Sequence, residues 1–232
     1  MKKYILILIV FVNTINGQNT LIKYSFETTF SKEDKEKEFI GEYIQAIERG
    51  AKLIELELIF NDSISVFRSL DVMNTNENDD VQKAKVGCSC SEDNYQFNNY
   101  NYKNNSTDFF PENKFLIKSE IENGWILLNE TMKINNLLCY KAIRSFEKNL
   151  SNGEKTTIET IAWYCPEIKG NYGPAGFGNL PGIILFLQTG KNIFKAKEII
   201  LNSNKPILFE KKGIEITKQE YLNKVNELMN GD

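Results

Sequence analysis

The sequence predicts a mainly β protein of the α+β type: a curved antiparallel sheet or partial barrel, with one helix in the N-terminal region and a short C-terminal helix. Three observations predict this class. Apolar residues alternate at period two near the N-terminus, strand-like runs follow one another from Lys114 onward, and turn dipeptides rich in asparagine and glycine separate those runs. With 41% apolar and 25% charged residues, the chain of 232 residues has the composition of a globular protein.

Residues 1–17 have the pattern of a secretory signal peptide. A basic start at Met1-Lys2-Lys3 precedes the apolar run Tyr4–Val12, which is too short for the ~20 residues that span a bilayer. Gly17 marks the expected cleavage point, and no cysteine stands directly after the apolar run to carry a lipid. We therefore expect an exported protein, periplasmic or secreted and not a lipoprotein. Residues 18–232 should form a single β-rich domain with no membrane span after cleavage.

The N-terminal elements alternate between strand and helix patterns. Leu21–Phe30 reads as a strand with one apolar face, formed by Ile22, Tyr24, Phe26, Thr28 and Phe30. A capping box at Ser31–Asp34 predicts a helix that ends at Gly50. Its apolar stripe consists of Phe39, Ile40, Tyr43, Ile44 and Ile47. Ile54–Phe60 and Ser63–Phe67 then predict a hairpin.

Asparagine dominates residues 71–113, where tyrosines are interspersed. We expect a long surface loop there, with at most one marginal strand near Tyr95–Tyr102. A binding loop is the alternative, because asparagine and aromatic side chains give adaptable contacts at low entropic cost.

Regular strand signals fill the rest of the chain. The predicted strands are Phe115–Ile121, Trp125–Asn129, Leu137–Phe146, Lys155–Cys165, Ile183–Leu187, Ile193–Leu201 and Pro206–Lys211. A second capping box at Thr217–Glu220 predicts the C-terminal helix, whose apolar side carries Tyr221, Leu222, Val225, Leu228 and Met229.

The chain contains no histidine, which excludes Ser-His-Asp and Cys-His nucleophile systems and histidine-ligated metals. The formal net charge of -3 argues against nucleic acid as a partner, since that would need a clustered basic face. No catalytic residue, metal or cofactor is predicted.

Four cysteines in an exported protein indicate disulfides. If the loop Leu150–Glu154 joins two antiparallel strands, Cys139 lies directly opposite Cys165, at a spacing that a bridge requires. Cys88 and Cys90 would then close a small ring. Pairing of these two with Cys139 or Cys165 is an alternative, and so is an incomplete soft-metal site.

The most specific segment is Ile161–Leu187, with the sequence IAWYCPEIKGNYGPAGFGNLPGIILFL. Its glycines and prolines predict a series of tight turns. The run Ile183–Leu187 has no polar alternate and predicts a strand buried on both faces. A phosphate-binding loop is disfavoured, because no Lys-Ser/Thr pair and no helix follow the glycines.

This segment resembles the GLPGLI family of exported Bacteroidota proteins, whose biochemical activity is not established. The resemblance is carried by Trp163, Tyr164, Gly173, Pro174, Phe177, Gly178, Asn179, Leu180, Pro181, Gly182, Ile183 and Ile184. Asn179 stands where the family has a glycine, and asparagine tolerates left-handed geometry better than most residues. The resemblance implies compartment and fold plan, and no catalytic residue.

Two classes of function then remain. The first is a noncatalytic envelope protein that binds a peptide, an apolar ligand or a partner protein of the envelope, or serves as an accessory factor. The second is a carboxylate-dependent hydrolase acting on an envelope polymer, for which Glu130, Glu159 and Glu167 are the candidates. Acidic residues on strands are usually solvated, so the sequence favours the first class.

Overall fold

The computed structural model describes residues 19–38, 40–70, 78–104, 110, 114–149, 155–209, 211 and 213–230. The signal-peptide prediction for residues 1–17 falls outside the described residues, and so does Phe39. In chain order the described elements are β1 (Asn19–Thr28), α1 (Lys32–Lys35), α2 (Gly41–Ala51), β2 (Leu56–Phe60), β3 (Ile64–Ser69), α3 (Asp79–Gly87), β4 (Asn94–Phe97), β5 (Tyr100–Asn104), β6 (Phe115–Glu120), β7 (Ile126–Ile134), β8 (Leu137–Asn149), β9 (Lys155–Cys165), a 3-10 turn (Pro174–Gly176), β10 (Ile183–Thr189), β11 (Asn192–Ser203), β12 (Ile214–Thr217) and α4 (Lys218–Asn230).

Twelve strands of the described chain form one open, curved sheet in the order β12-β6-β5-β4-β3-β2-β1-β11-β10-β9-β8-β7. The mainly β fold class is therefore confirmed. Neighbouring strands are antiparallel, except that β12 runs parallel to β6. The sheet contains two meanders, and β1 joins them by pairing with β2 on one side and β11 on the other.

Side chains that alternate along the central strands build a core on each face of the sheet. Ile22 and Leu58 belong to the larger core, whereas their neighbours Leu21 and Ile59 belong to the smaller one. The predicted apolar face of β1 is confirmed within the strand by four buried side chains: Ile22, Tyr24, Phe26 and Thr28.

β10 is the doubly buried strand that the sequence predicts. Four of its side chains have no exposed surface: Ile183, Ile184, Leu185 and Leu187. The Tyr24 hydroxyl on β1 donates a hydrogen bond of 2.6 Å to the carbonyl of Ile184. Burial of the Tyr24 ring raises the pKa of its hydroxyl well above the ordinary value. The start of β10 is therefore enclosed by the larger core.

The prediction of a long loop over residues 71–113 was wrong where the structure has the helix α3. The marginal strand expected near Tyr95–Tyr102 falls on two paired strands, β4 and β5. Asparagine is common here because it terminates and turns these elements. The Asn78 side chain caps α3 by accepting a hydrogen bond of 2.9 Å from the Asp80 amide. Asn98 and Asn99 adopt left-handed φ values of 51° and 64° and form the two-residue turn between β4 and β5.

The N-terminal helix prediction was correct in place but wrong in extent. Ser31 caps only the single turn α1, and a separate helix, α2, follows. Gly50 lies inside α2 rather than beyond its end. A glycine is needed there because α3 packs against it: a Cβ at Gly50 would stand 1.9 Å from the Asp80 carbonyl oxygen. None of the helices in the described ranges is both long and apolar enough to cross a membrane.

The C-terminal region differs from the prediction in one element. Residues 204–209 are not a strand, because this segment carries Phe209 across the smaller core, where its ring lies 4.8 Å from that of Tyr95. The strand here is β12 instead. The predicted capping box is confirmed: the Glu220 amide donates to Thr217 Oγ1 at 3.2 Å, and the Thr217 amide donates to Glu220 Oε2 at 2.7 Å.

Candidate functional site

The glycine-rich turn, defined here as Gly173–Gly182, folds back over the sheet between β9 and β10. A bridge pairs Tyr172 with Gly178, and the Asn179 amide donates to the Asn171 carbonyl at 2.9 Å. Asn179 has a φ of 61°, so the expectation that it adopts the glycine's geometry is confirmed.

Three side-chain amides on β4 and β5, which we call the amide cluster, lie against the turn, and two of them bond to it. The members are Asn94, Gln96 and Asn101. The Gly176 carbonyl accepts hydrogen bonds from Gln96 Nε2 at 2.8 Å and from Asn101 Nδ2 at 3.1 Å. A Cβ at Gly176 would approach Asn94 Nδ2 to 2.9 Å, and φ there is 83°. Only glycine therefore fits between the turn and these amides.

Aromatic and charged groups hold the other side of the turn. Trp125 Nε1 donates to the Gly178 carbonyl at 2.9 Å. The buried Arg144 guanidinium lies 5.6 Å from the Trp125 ring centre and 5.5 Å from that of Phe177. It also forms an ion pair with the exposed carboxylate of Glu122. Sequence reasoning missed Arg144, which is buried in the strand β8 and carries no motif.

A cleft of about 1080 Å³ opens beside the turn, and we call it the turn cleft. One wall consists of residues 175–177 of the turn, and the first turn of α4 contributes another part. The remaining lining comes mainly from polar and aromatic residues, including Ser89, Asn94, Tyr100, Asn101, Lys103, Lys118, Ser119, Glu120, Glu122 and Tyr221. Polar residues alternate at period two in Asn94-x-Gln96 and in Asn101-x-Lys103, so they lie on one face of a strand. This pattern in the sequence could have indicated the polar sheet face.

Lys103 is the cleft lysine with the most perturbed surroundings. Burial lowers the pKa of its ammonium group, and Glu92 acts in the opposite direction. Its Nζ donates to the Ser89 carbonyl at 2.7 Å. Ser89 lies between Cys88 and Cys90, which form a disulfide, and has a left-handed φ of 58°. The small ring expected from the sequence is thus present at the rim of the cleft.

Cys139 and Cys165 do not form the predicted bridge and remain free, buried thiols. The predicted register of β8 and β9 is correct, since Tyr140 lies opposite Tyr164. The ladder between β8 and β9 ends at that pair, however, one residue before Cys139 and Cys165, and beyond it Cys165 is paired only on its other side, with Ile183 of β10. Burial, with a smaller contribution from the adjacent Cys165 thiol, raises the pKa of Cys139 to about 12.

Most of the residues that carry the family resemblance lie in the core or in turns. Trp163 and Tyr164 lie on β9, where the Tyr164 ring is 6.0 Å from that of Tyr140. Leu180, Ile183 and Ile184 are buried. Of the twelve residues, Phe177 lines the turn cleft.

The three candidate carboxylates of the hydrolase hypothesis are not brought together around one group. Glu130 accepts from Lys141 Nζ at 2.9 Å, and Glu167 accepts from the Leu138 amide at 3.2 Å. Glu159 is exposed on β9 opposite Ser145. Glu167 also lines a second cavity of about 740 Å³, whose walls include Phe60, Ile64, Ile168 and Ile199.

Comparisons with known proteins add fold-level information. A family model described as "Protein of unknown function (Porph_ging)" matches residues 145–186, which include the whole glycine-rich turn. This match is consistent with a family of Bacteroidota proteins. No protein with a curated description matches the chain significantly.

Two crystal structures of PNGF-II, in space groups P21 and C2, resemble the fold with a TM-score of 0.54 and 14% identity in each case. The aligned region includes 91% of this chain in both comparisons. It includes only about a third of PNGF-II, 34% in one structure and 33% in the other, so this chain spans about a third of that protein. The similarity is one of fold.

Proposed function

We propose that this chain is an exported, noncatalytic binding protein of the GLPGLI family, and that it holds an extended peptide in the turn cleft. The pattern of residues 1–17 supports export to the periplasm or beyond. The motif residues of the glycine-rich turn support the family assignment. The family model that matches this segment is described as Porph_ging, of unknown function.

The observation that carries the proposed binding site is the position of the turn: residues 175–177 form a wall of the turn cleft, directly above the amide cluster. Asn94 and Asn101 both line the cleft with side-chain amides, which can donate and accept hydrogen bonds as peptide groups do. Asn101 is already bonded to Gln96 and Gly176, whereas Asn94 Oδ1 has no donor among the described residues and can accept from a peptide N–H. An extended peptide can use such partners along its backbone.

The other walls suit the side chains of a peptide. The rings of Tyr100, Phe177 and Tyr221 offer apolar surface at low cost in conformational entropy. The volume of about 1080 Å³ lies slightly above the usual range for ligand pockets. Several residues of a peptide therefore fit, which suits a partner segment better than a small metabolite.

The binding test uses a pool of synthetic N-acetylated octapeptides, incubated with the purified chain and recovered by size exclusion for mass spectrometry. Ser119 lines the cleft on β6, so Ser119→Trp should fill it and reduce peptide recovery by about tenfold or more. The matched control is Thr157→Trp, at an exposed position of β9 that lines neither cavity. Equal recovery from both variants would contradict the assignment of the site to this cleft.

Export is tested separately, by fractionation of cells that express the full chain. A processed product in the periplasm or medium, with an N-terminus near Gln18 by sequencing, is the expected result. An unprocessed chain in the cytosol would contradict it.

A further inference from the structure

Among the described residues, no carboxylate forms an ion pair with Lys103, although the negative charge of Glu92 acts on its ammonium group from beyond ion-pair distance. Two other described cations beside the site are paired: Lys118 approaches Glu215 at 3.8 Å, and Arg144 is paired with Glu122. Lys218 also lines the cleft without an ion pair to a described carboxylate, but it is exposed at the start of α4, whereas Lys103 is partly buried on the sheet. The one contact of the Lys103 ammonium group among described hydrogen bonds is the neutral carbonyl of Ser89. A partly buried ammonium group in this position favours an anionic ligand.

Among the described residues, Asn94 lacks a hydrogen-bond donor for its side-chain oxygen. Its Oδ1 is buried and accepts no hydrogen bond from the described residues, although the side chain lines the turn cleft. A buried acceptor without a donor is costly, and a ligand that supplies an N–H group would remove the cost.

These two groups are neighbours, because Asn94 and Lys103 lie directly opposite each other on β4 and β5. Their side chains therefore leave the same face of the sheet, about 5 Å apart at Cβ. A ligand that satisfies both must offer an N–H donor and an anionic group close together. The last residue of a peptide does so through its own amide and its free C-terminal carboxylate.

We infer that the turn cleft recognises the free C-terminus of its peptide, with Lys103 binding the terminal carboxylate and Asn94 accepting the amide N–H of the same residue. This inference rests on the proposed function and specifies its ligand. Ser89, which lies within the disulfide ring of Cys88 and Cys90, accepts the hydrogen bond of Lys103, and both residues line the cleft.

The test compares two pools of N-acetylated octapeptides with identical sequences, one with free C-terminal acids and one with C-terminal amides. The strongest binder from the acid pool is then labelled, and its Kd is measured by fluorescence polarisation in both forms. Loss of the carboxylate should weaken binding by about tenfold or more. In Lys103→Met the acid and amide forms should bind within about twofold of each other, whereas Lys103→Arg should keep most of the preference.

The matched control is Lys195→Met, since Lys195 is a strand lysine paired with Glu27 outside the cleft. It should retain the preference for the acid.

If the unaltered chain binds acids and amides equally, the C-terminal inference fails while the proposed function stands. If neither pool binds, the proposed function fails and the inference with it. A preference that survives in Lys103→Met overturns the role of Lys103, and the acid-to-amide comparison on the unaltered chain decides even if that variant does not fold.

Discussion

The Trp125 indole donates a hydrogen bond of 2.9 Å to the carbonyl of Gly178, and so fixes the glycine-rich turn to the segment that enters the edge strand β7. The Trp125 ring also packs against Phe177, with ring centres 6.4 Å apart. One side chain thus supplies both a polar and an apolar contact to the turn that borders the cleft.

Replacing Trp125 by phenylalanine should retain much of the packing and remove the hydrogen bond. Gly178 is buried, so its carbonyl would be left without a hydrogen-bond partner. We therefore expect a loss of about 1 kcal/mol in the free energy of unfolding. Urea denaturation followed by circular dichroism measures it. Trp163→Phe is the control, because the described structure shows no hydrogen bond from that ring; a larger loss in the control would contradict the role of the Gly178 contact.

Gly182 should be the least replaceable glycine of the turn. Its φ is 154°, and a Cβ there would stand 2.4 Å from the Cys165 carbonyl oxygen, so Gly182→Val forces the turn away from β9. We expect a loss of about 2–4 kcal/mol by urea denaturation. Gly190→Ala is the comparison. Gly190 also has a positive φ, of 55°, but a Cβ there would meet no atom closer than 3.9 Å. We expect this variant to lose about 1 kcal/mol in the free energy of unfolding. Equal losses would show that backbone strain alone, without the clash, sets the cost.

The sequence predicted the elements whose physics is local. Alternation along β1, the apolar run of β10 and the capping box at Thr217 each contain their own signal, and each is confirmed. The candidate site is different, because its groups come from distant strands. The amide cluster meets the turn only through the fold, since Gln96 and Gly176 are 80 residues apart. Counting asparagines as loop formers also concealed β4 and β5, in which the same residue type builds a polar sheet face.

The ion pair between Arg144 and Glu122 should respond unequally to loss of either partner. Glu122→Gln leaves a guanidinium group that is only 5% exposed without its counterion, whereas Arg144→Met leaves Glu122 in solvent. We expect a loss of about 2–3 kcal/mol for Glu122→Gln, more than for Arg144→Met. The double variant should be no less stable than Glu122→Gln alone, because methionine removes the uncompensated charge. Urea denaturation of the three variants checks the order, and a greater cost for Arg144→Met would show that packing against the rings outweighs the charge.

Cys139 should make the stability of the chain depend on alkaline pH. Burial raises the pKa of its thiol from 9.0 to about 12, so the folded state disfavours the thiolate that the unfolded state forms freely. The contribution is therefore fully present below pH 9 and is lost progressively as the pH rises from about 9 toward 12. Tyr24, whose hydroxyl pKa is also raised, adds a similar loss that begins at the ordinary tyrosine pKa of 10.0. Subtracting the profile of Cys139→Ala from that of the unaltered chain isolates the thiol. Urea midpoints measured between pH 7 and pH 11 should converge for the two proteins as the pH rises; a constant difference would mean that the Cys139 thiol ionises equally in both states.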